Sequence, residues 1–253
     1  MSQLLYVYGI VPSNQSLKEL KTIHLGSLAA LVEEVSDQEF GEEALAENIK
    51  NMEWVSEKAV HHQEVLATAG SESTLVPLKF GRVFSSEESI QSMLKEKERY
   101  FTDLLHRLDG KQEWGLKLFF NPATLQSWLE KNNHEIKEAD EQISGLSSGA
   151  AFLLKKKREQ LIKEKVKKEV NTYRKSVFTL CKEQSEELVQ NKELDSKLSG
   201  NPDTNLLNLA LLIQPNQFTA LEKELSTMLD DNQSQGLYHE LTGPWPPYNF
   251  VNL

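Results

Sequence analysis

Leu4-Leu5-Tyr6-Val7-Tyr8-Gly9-Ile10-Val11-Pro12 is the stretch on which the fold class turns. Read as an apolar leader, it would make this a secreted chain. Read as a strand, it opens a mixed α/β body. Only Met1, Ser2 and Gln3 precede it, so there is no basic segment ahead of the apolar run, and Pro12 closes it after eight residues. Aromatic and β-branched residues suit a pleated, buried surface, and the strand reading wins. No apolar run elsewhere approaches the ~18 residues a membrane-spanning helix needs. The single cysteine, Cys181, excludes an internal disulfide framework. We expect a soluble, cytoplasmic chain.

Outward from that strand, a second apolar stretch at 25–35 ends in an acidic patch of Glu33, Glu34, Asp37, Glu39, Glu42 and Glu43. Leu45, Ile49, Met52, Val55, Ala59 and Leu66 recur at three- and four-residue steps, which predicts a helix over 43–69 with Gly70 as its stop. The run 75–84 reads as a strand, at an edge or bulged because Pro77 has no N–H to give to a ladder. Ser85 or Ser86 caps a helix to Leu108, which stops at Asp109-Gly110. A strand follows at 114–120, then a short helix opened by Asn121-Pro122. The polar stretch 131–149 reads as a loop.

The longest element runs from about 150 to 190, with Val166, Val170, Tyr173, Val177, Leu180 and Gln184 as a heptad seam. Some forty residues would extend roughly 60 Å, more than a compact domain needs, so a helical arm is expected, straight or folded back. A turn at Ser199-Gly200-Asn201-Pro202, a strand at 206–213, a helix at 215–229 and a strand at 236–241 complete the order. The end, Gly243-Pro244-Trp245-Pro246-Pro247-Tyr248-Asn249-Phe250-Val251, is too proline-rich for a helix and too aromatic to float. It should lie across the body of the protein. The reading is α+β, in two small domains: 1–110, and 111–253 carrying the arm and the proline/aromatic segment.

Several motifs come near to catalytic or metal-binding patterns. Gly145-Leu146-Ser147-Ser148-Gly149 spells G-x-S-x-G, with Asp230 or Asp231 and then His239 in the right order for a serine hydrolase through Ser147. The preceding residues, Glu138 to Ser144, are too polar for the buried strand that this motif needs, so a loop capping a helix is the competing reading. Zinc-helix spacing fails at both starts: Glu138 stands four after His134, and Gly243 four after His239. His61 and His62 are adjacent and diverge on a helix. A calcium loop from Asp230 has Gln235 at its sixth position and Leu241 at its twelfth; counted from Asp231, Gly236 falls sixth but Thr242 twelfth. A phosphate cradle ending at Gly110-Lys111 would need glycine where Leu105 stands. No catalytic, cofactor-binding or metal-binding residue is assigned, no cofactor is expected, and the partner-binding residues stay open.

Charge is uneven. The chain carries 28 basic and 38 acidic residues, net −10, and nothing global draws it to nucleic acid or anionic lipid. Yet 155–169 holds Lys155, Lys156, Lys157, Arg158, Lys163, Lys165, Lys167 and Lys168 against three glutamates. This basic helix, 155–168, suits a nucleic acid, a lipid surface or an acidic partner. It has no interleaved aromatics for base stacking, so a solvated face, or an acidic partner in this chain or another, is preferred.

Several blocks, in order over nearly the whole chain, resemble the gas vesicle protein F/L family (GvpF/GvpL). They are Tyr6-Val7-Tyr8-Gly9-Ile10-Val11; His62 with Val65-Leu66; Val76-Pro77-Leu78-Lys79-Phe80-Gly81-Arg82-Val83-Phe84; Glu113-Trp114-Gly115-Leu116-Lys117; Leu207-Asn208-Leu209-Ala210; and Leu241 through Val251. The resemblance implies an N-terminal α/β domain and a ferredoxin-like C-terminal domain with a coiled-coil extension. It implies a cytoplasmic or vesicle-bound structural or assembly component that contacts the hydrophobic shell protein and other accessory proteins, with neither nucleic acid nor lipid membrane as partner. It brings no catalytic residue. A gas-filled shell needs subunits with a poorly wetted face, and such subunits aggregate unless escorted. A chain of mean hydropathy −0.49 and charge −10 suits the escort rather than the wall.

Overall fold

The computed structural model describes residues 3–15, 20–144, 146–193 and 202–252. Its packing divides into two units: residues 1–113 with 244–253, and residues 114–243. The sequence reading had kept 244–253 with the second half. The structure moves it because Glu113 accepts hydrogen bonds from both the backbone N–H (3.0 Å) and the side-chain amide (2.6 Å) of Asn249.

The first unit is built on β1 (Gln3–Pro12), β2 (Lys21–Leu25), β3 (Leu28–Ser36), β4 (Val76–Pro77) and β5 (Val83–Phe84). The sheet order is β2-β3-β1-β4, with β5 also paired to β1, and every pairing is antiparallel. β1 is the expected strand, and it is central. Residues 5–11 are all buried, as a near-continuous apolar run requires. The stretch 25–35 is half of a hairpin whose other half is β2, which has no apolar pattern of its own. Gly26, at φ +56°, makes the two-residue turn possible. The strand expected over 75–84 is two short ones, both on β1, with Gly81 at φ +82° in the bend between them.

A short α1 (Asp37–Phe40) follows β3, and then two helices, α2 (Glu42–Asn48) and α3 (Met52–Glu72), replace the single helix expected over 43–69. The break comes where Asn51 turns extended, and its side chain accepts from the N–H groups of Glu53 (3.1 Å) and Trp54 (3.4 Å). Leu66 and Ala69 of α3 join Tyr6, Tyr8, Val11 and Leu31 in one core cluster. Next come α4 (Glu87–Glu96), with the expected cap at Ser86 in a reciprocal capping box, and α5 (Glu98–Leu108), which bury Ile90, Leu94, Phe101 and Leu108.

The second unit holds β6 (Gln112–Phe120), α6 (Pro122–Asn132), α7 (His134–Ile143), α8 (Ser148–Gln184), β7 (Glu187–Gln190), β8 (Thr204–Ile213), α9 (Pro215–Asn232) and β9 (Leu237–Trp245). The sheet order is β7-β8-β6-β9. Two expectations are corrected here. The polar stretch read as a loop contains α7, capped by Asn133 and anchored by one fully buried side chain, Ile136. The arm stops at Gln184, and part of its expected end is the strand β7, paired to β8 through Glu187↔Leu212. At ~1.5 Å per residue the 37 residues of α8 reach about 55 Å. The expected seam packs: Tyr173 and Val177 are buried in the sheet core and Val166, Val170 and Leu180 are partly buried, while Cys181 and Ile162, outside the seam, join them, Ile162 against Leu125, Leu129 and Ile136. β9 outlasts the expected strand and tolerates Pro244 because it is an edge. Gly145 and the turn expected at 199–201 lie outside the described residues.

Candidate functional site

Tyr6 and Tyr8 are two apart on β1, so both rings leave the same face of the sheet. Opposite them α3 carries His61 and His62. As adjacent helical residues they diverge: the His61 side chain is 52% exposed, while His62 is buried at 2%. His62 Nδ1 lies 2.8 Å from the Tyr6 hydroxyl and its Nε2 lies 2.7 Å from the Tyr248 hydroxyl. The Gly81 N–H donates to Tyr6 at 3.0 Å, and Tyr248 donates to the Leu78 carbonyl at 3.3 Å.

One directed chain satisfies every group. Gly81 N–H donates to Tyr6, Tyr6 to His62 Nδ1, His62 Nε2–H to Tyr248, and Tyr248 to Leu78. That requires a neutral imidazole. Burial depresses the His62 pKa to about 4 and lifts Tyr6 to about 12, with Tyr248 also raised by burial, so all three stay uncharged at neutral pH. A histidine with both nitrogens committed is a clamp. Tyr248 is thereby held, and Phe250 is buried beyond it.

Around the clamp, Phe40, Trp54 and Phe80 add tilted and edge-to-face ring contacts. Tyr8 donates to Glu33, and His61 Nε2 lies 3.2 Å from the same carboxylate. Glu39 accepts from Trp54 Nε1 at 2.8 Å and pairs with Lys58 at 2.9 Å. Tyr6, Tyr8, His62, Phe40, Phe80 and Glu33 are among the residues that line a cavity of about 200 Å³. A more open groove of about 700 Å³ follows along α3, lined by Leu20, Val32, Val65, Glu33, Glu64 and Glu72. β2 is the terminal strand of that sheet, and Gln91 of α4 donates to its His24 carbonyl at 3.4 Å.

In the second unit, Ser147 is exposed at the cap of α8 and follows helix α7, so no strand drives it into a strained elbow. His239 is half-buried on β9, and its pKa is lowered by burial. His134 is exposed at the start of α7. Gln235, Gly236, Leu241 and Thr242 run from a short turn into the strand β9. Among the described residues no cluster of three or more His, Cys, Asp or Glu could hold a metal. Burial pushes the Cys181 thiol up to about 12 and leaves it inert.

The basic run splits by face. Arg158 turns inward to Asp140 and Glu130, and Lys165 to Glu135, while Lys155, Lys156, Lys157, Lys163, Lys167 and Lys168 stay exposed. The sequence reading noted His62 and the C-terminal aromatics separately and missed their junction. The available signal was Tyr248, an aromatic with a polar tip in a segment that needed a dry place.

Among the described residues no helix is long and apolar enough to cross a membrane. The chain is 25% identical over 228 residues to gas vesicle protein L of Streptomyces sp. (strain CB03234), covering 90% of this chain and 81% of that one. It is 23% identical to gas vesicle protein F of the same strain, covering 97% and 98%. Its fold is similar to the crystal structure of GvpF from Anabaena sp. PCC7120, with a TM-score of 0.66 and 19% identity over 100% and 99% of the two chains. The family described as gas vesicle synthesis protein GvpL/GvpF matches residues 4–252, and the chain belongs to that family.

Proposed function

We propose that this protein is a cytoplasmic escort in gas vesicle assembly: it binds the hydrophobic shell protein, and other accessory proteins, during nucleation. The first unit is the shell-binding half. One observation carries this assignment. Among the described strands β2 is the terminal one of its sheet, with Gln91 of α4 donating to its His24 carbonyl, and it lies beside a groove with apolar Leu20, Val32 and Val65 and acidic Glu33, Glu64 and Glu72 in its lining. A terminal strand pairs main chain with an incoming strand, an apolar lining takes alternate side chains, and charged groups beside it keep the free protein from aggregating.

The second unit is read as ferredoxin-like. Support comes from its core order β6-α8-β7-β8-α9-β9 and sheet order β7-β8-β6-β9, with α6 and α7 inserted before α8. Helices α7 and α8, lying antiparallel over their ion pairs, serve as the coiled-coil extension and space other factors. The protein has no catalytic role in this reading, and its exposed lysines face protein rather than nucleic acid.

The test is co-purification with the shell subunit from a minimal vesicle gene cluster. Full-length protein should capture the subunit, and Leu20→Lys should lose most of it while remaining folded. Capture by residues 114–243 alone would reverse the assignment. Normal refractile vesicles in cells lacking the protein would end it.

A further inference from the structure

Eight large hydrophobic side chains are conspicuously exposed among the described residues, and six of them fall in two short stretches. The first is Ile49 (53% exposed), Met52 (76%) and Val60 (55%); the second is Leu146 (44%), Phe152 (58%) and Leu153 (64%). Each stretch adjoins a segment whose net charge is of one sign, although Arg158 and Lys165 in the basic one are paired with carboxylates of α6 and α7. Residues 37–60 carry seven carboxylates against two lysines, and residues 155–169 carry eight basic groups against three glutamates, so the segments have net charges of −5 and +5.

The helical spacing aligns the two patterns. On α3, Met52 and Val60 share a stripe, and Glu53 and Glu57 run beside it on the solvent side. On α8, Phe152 leads into Lys156 at i+4, whose ammonium lies 5.0 Å from the ring centroid, and Leu153 leads into Lys157. Both patches are therefore apolar lines bordered by charge, of opposite sign, on different units of the same molecule. Among the described residues, nothing in their own unit buries them.

We propose that copies of this chain associate head to tail, with the apolar, basic start of α8 on one copy seated on the apolar, acidic α2–α3 face of the next. Because the two surfaces differ, the contact is heterologous and leaves one free patch at each end. Such an array can grow along a forming shell or close into a ring. Apolar contact supplies the cohesion, and the charges set orientation and exclude the like-signed pairings.

Sedimentation velocity on the full chain tests this. At low salt the wild-type sedimentation coefficient should rise with concentration from the micromolar range upward, and high salt should suppress much of the rise. Lys155→Glu/Lys156→Glu/Lys157→Glu, and separately Glu47→Lys/Glu53→Lys/Glu57→Lys, should each stay at the monomer value, because each places like charges on both surfaces. An equimolar mixture of the two variants should regain the wild-type rise, since every contact is then complementary again. Circular dichroism checks that both variants are folded. A wild type that stays monomeric throughout overturns the proposal. So does a rise that survives either reversal, or a mixture of folded variants that stays monomeric. None of these outcomes bears on capture of the shell subunit.

Discussion

His62 sits between two tyrosines that it can satisfy only while neutral, and that ties the stability of the first unit to pH. Its folded pKa of about 4 lies below the ordinary 6.5, so the unfolded chain binds the extra proton between those values. The stabilisation is complete above about pH 6.5 and drains away as the pH falls toward 4, with a limiting slope near 1.4 kcal/mol per pH unit. Buried Glu113, whose pKa is raised by burial, works with the opposite sign: its contribution is present below the ordinary 4.5 and is lost as pH rises. The comparison must therefore be between wild type and His62→Gln, which keeps a donor and an acceptor but cannot titrate. The variant should be less stable at pH 7 and flatter between pH 6.5 and 4, measured by urea unfolding. Parallel pH profiles would show that His62 does not titrate with folding. Gly9 is the other residue with a distinct physical reason. A Cβ there would lie 2.6 Å from Leu75 Cδ1 and 2.8 Å from the Val76 carbonyl oxygen, where β4 closes on β1. Backbone cannot yield as a side chain can, so Gly9→Ala should cost about 1–3 kcal/mol in the same measurement.

Among the elements, strong local signals were legible and context-dependent ones were not. β1, β6, β8 and α9 announce themselves by their apolar pattern, with Pro12 closing β1 and Pro215 opening α9. Helix α7 does not, because Ile136 is its one fully buried residue, and the rest of its anchorage is ionic pairing of Glu135 and Asp140 with α8. Two of those pairing partners belong to the basic run, so part of that charge was structural all along. Likewise β7 could not be told from a frayed helix end without β8 beside it, and β4 and β5 owe their existence to β1. The clamp was unreadable for a related reason: His62 and Tyr248 are 186 residues apart, and no local pattern joins them. The C-terminal segment was expected to pack, and it does, through buried Phe250, the Asn249–Glu113 pair, and the Phe250 carbonyl accepting from Arg107. Removing 246–253 strips these contacts and leaves Glu113 buried without its Asn249 donors. We expect a loss of roughly 2–4 kcal/mol, read as a melting temperature lower by several degrees. An unchanged melt would mean the segment lies on the surface without holding anything.

For the whole molecule, the chain's two ends belong to one unit, and the second unit is an insertion between Glu113 and Pro244. The sequence could not disclose this, since the helix stop at Asp109-Gly110 marks where one unit ends but not that the chain comes back to it. The arrangement has a consequence for autonomy. Residues 114–243 contain both strands flanking β8, the helices that cover the sheet, and cores such as Leu116, Val177, Leu211 and Leu221 that are complete within the segment. Residues 1–113 lack Tyr248, which belongs to their own core cluster. Expressed alone, 114–243 should therefore unfold in one cooperative transition, whereas 1–113 should melt low and bind a dye specific for exposed apolar surface. Fusing 244–253 to residue 113 through a short Gly/Ser linker should restore most of the lost stability, because the tether makes docking intramolecular. Placing Tyr248→Phe in that fused tail should return only part of it, since His62 then loses the hydroxyl on its Nε2 side. If 1–113 alone proved as stable as the fused form, the tail would be a passenger and the clamp would have no structural role.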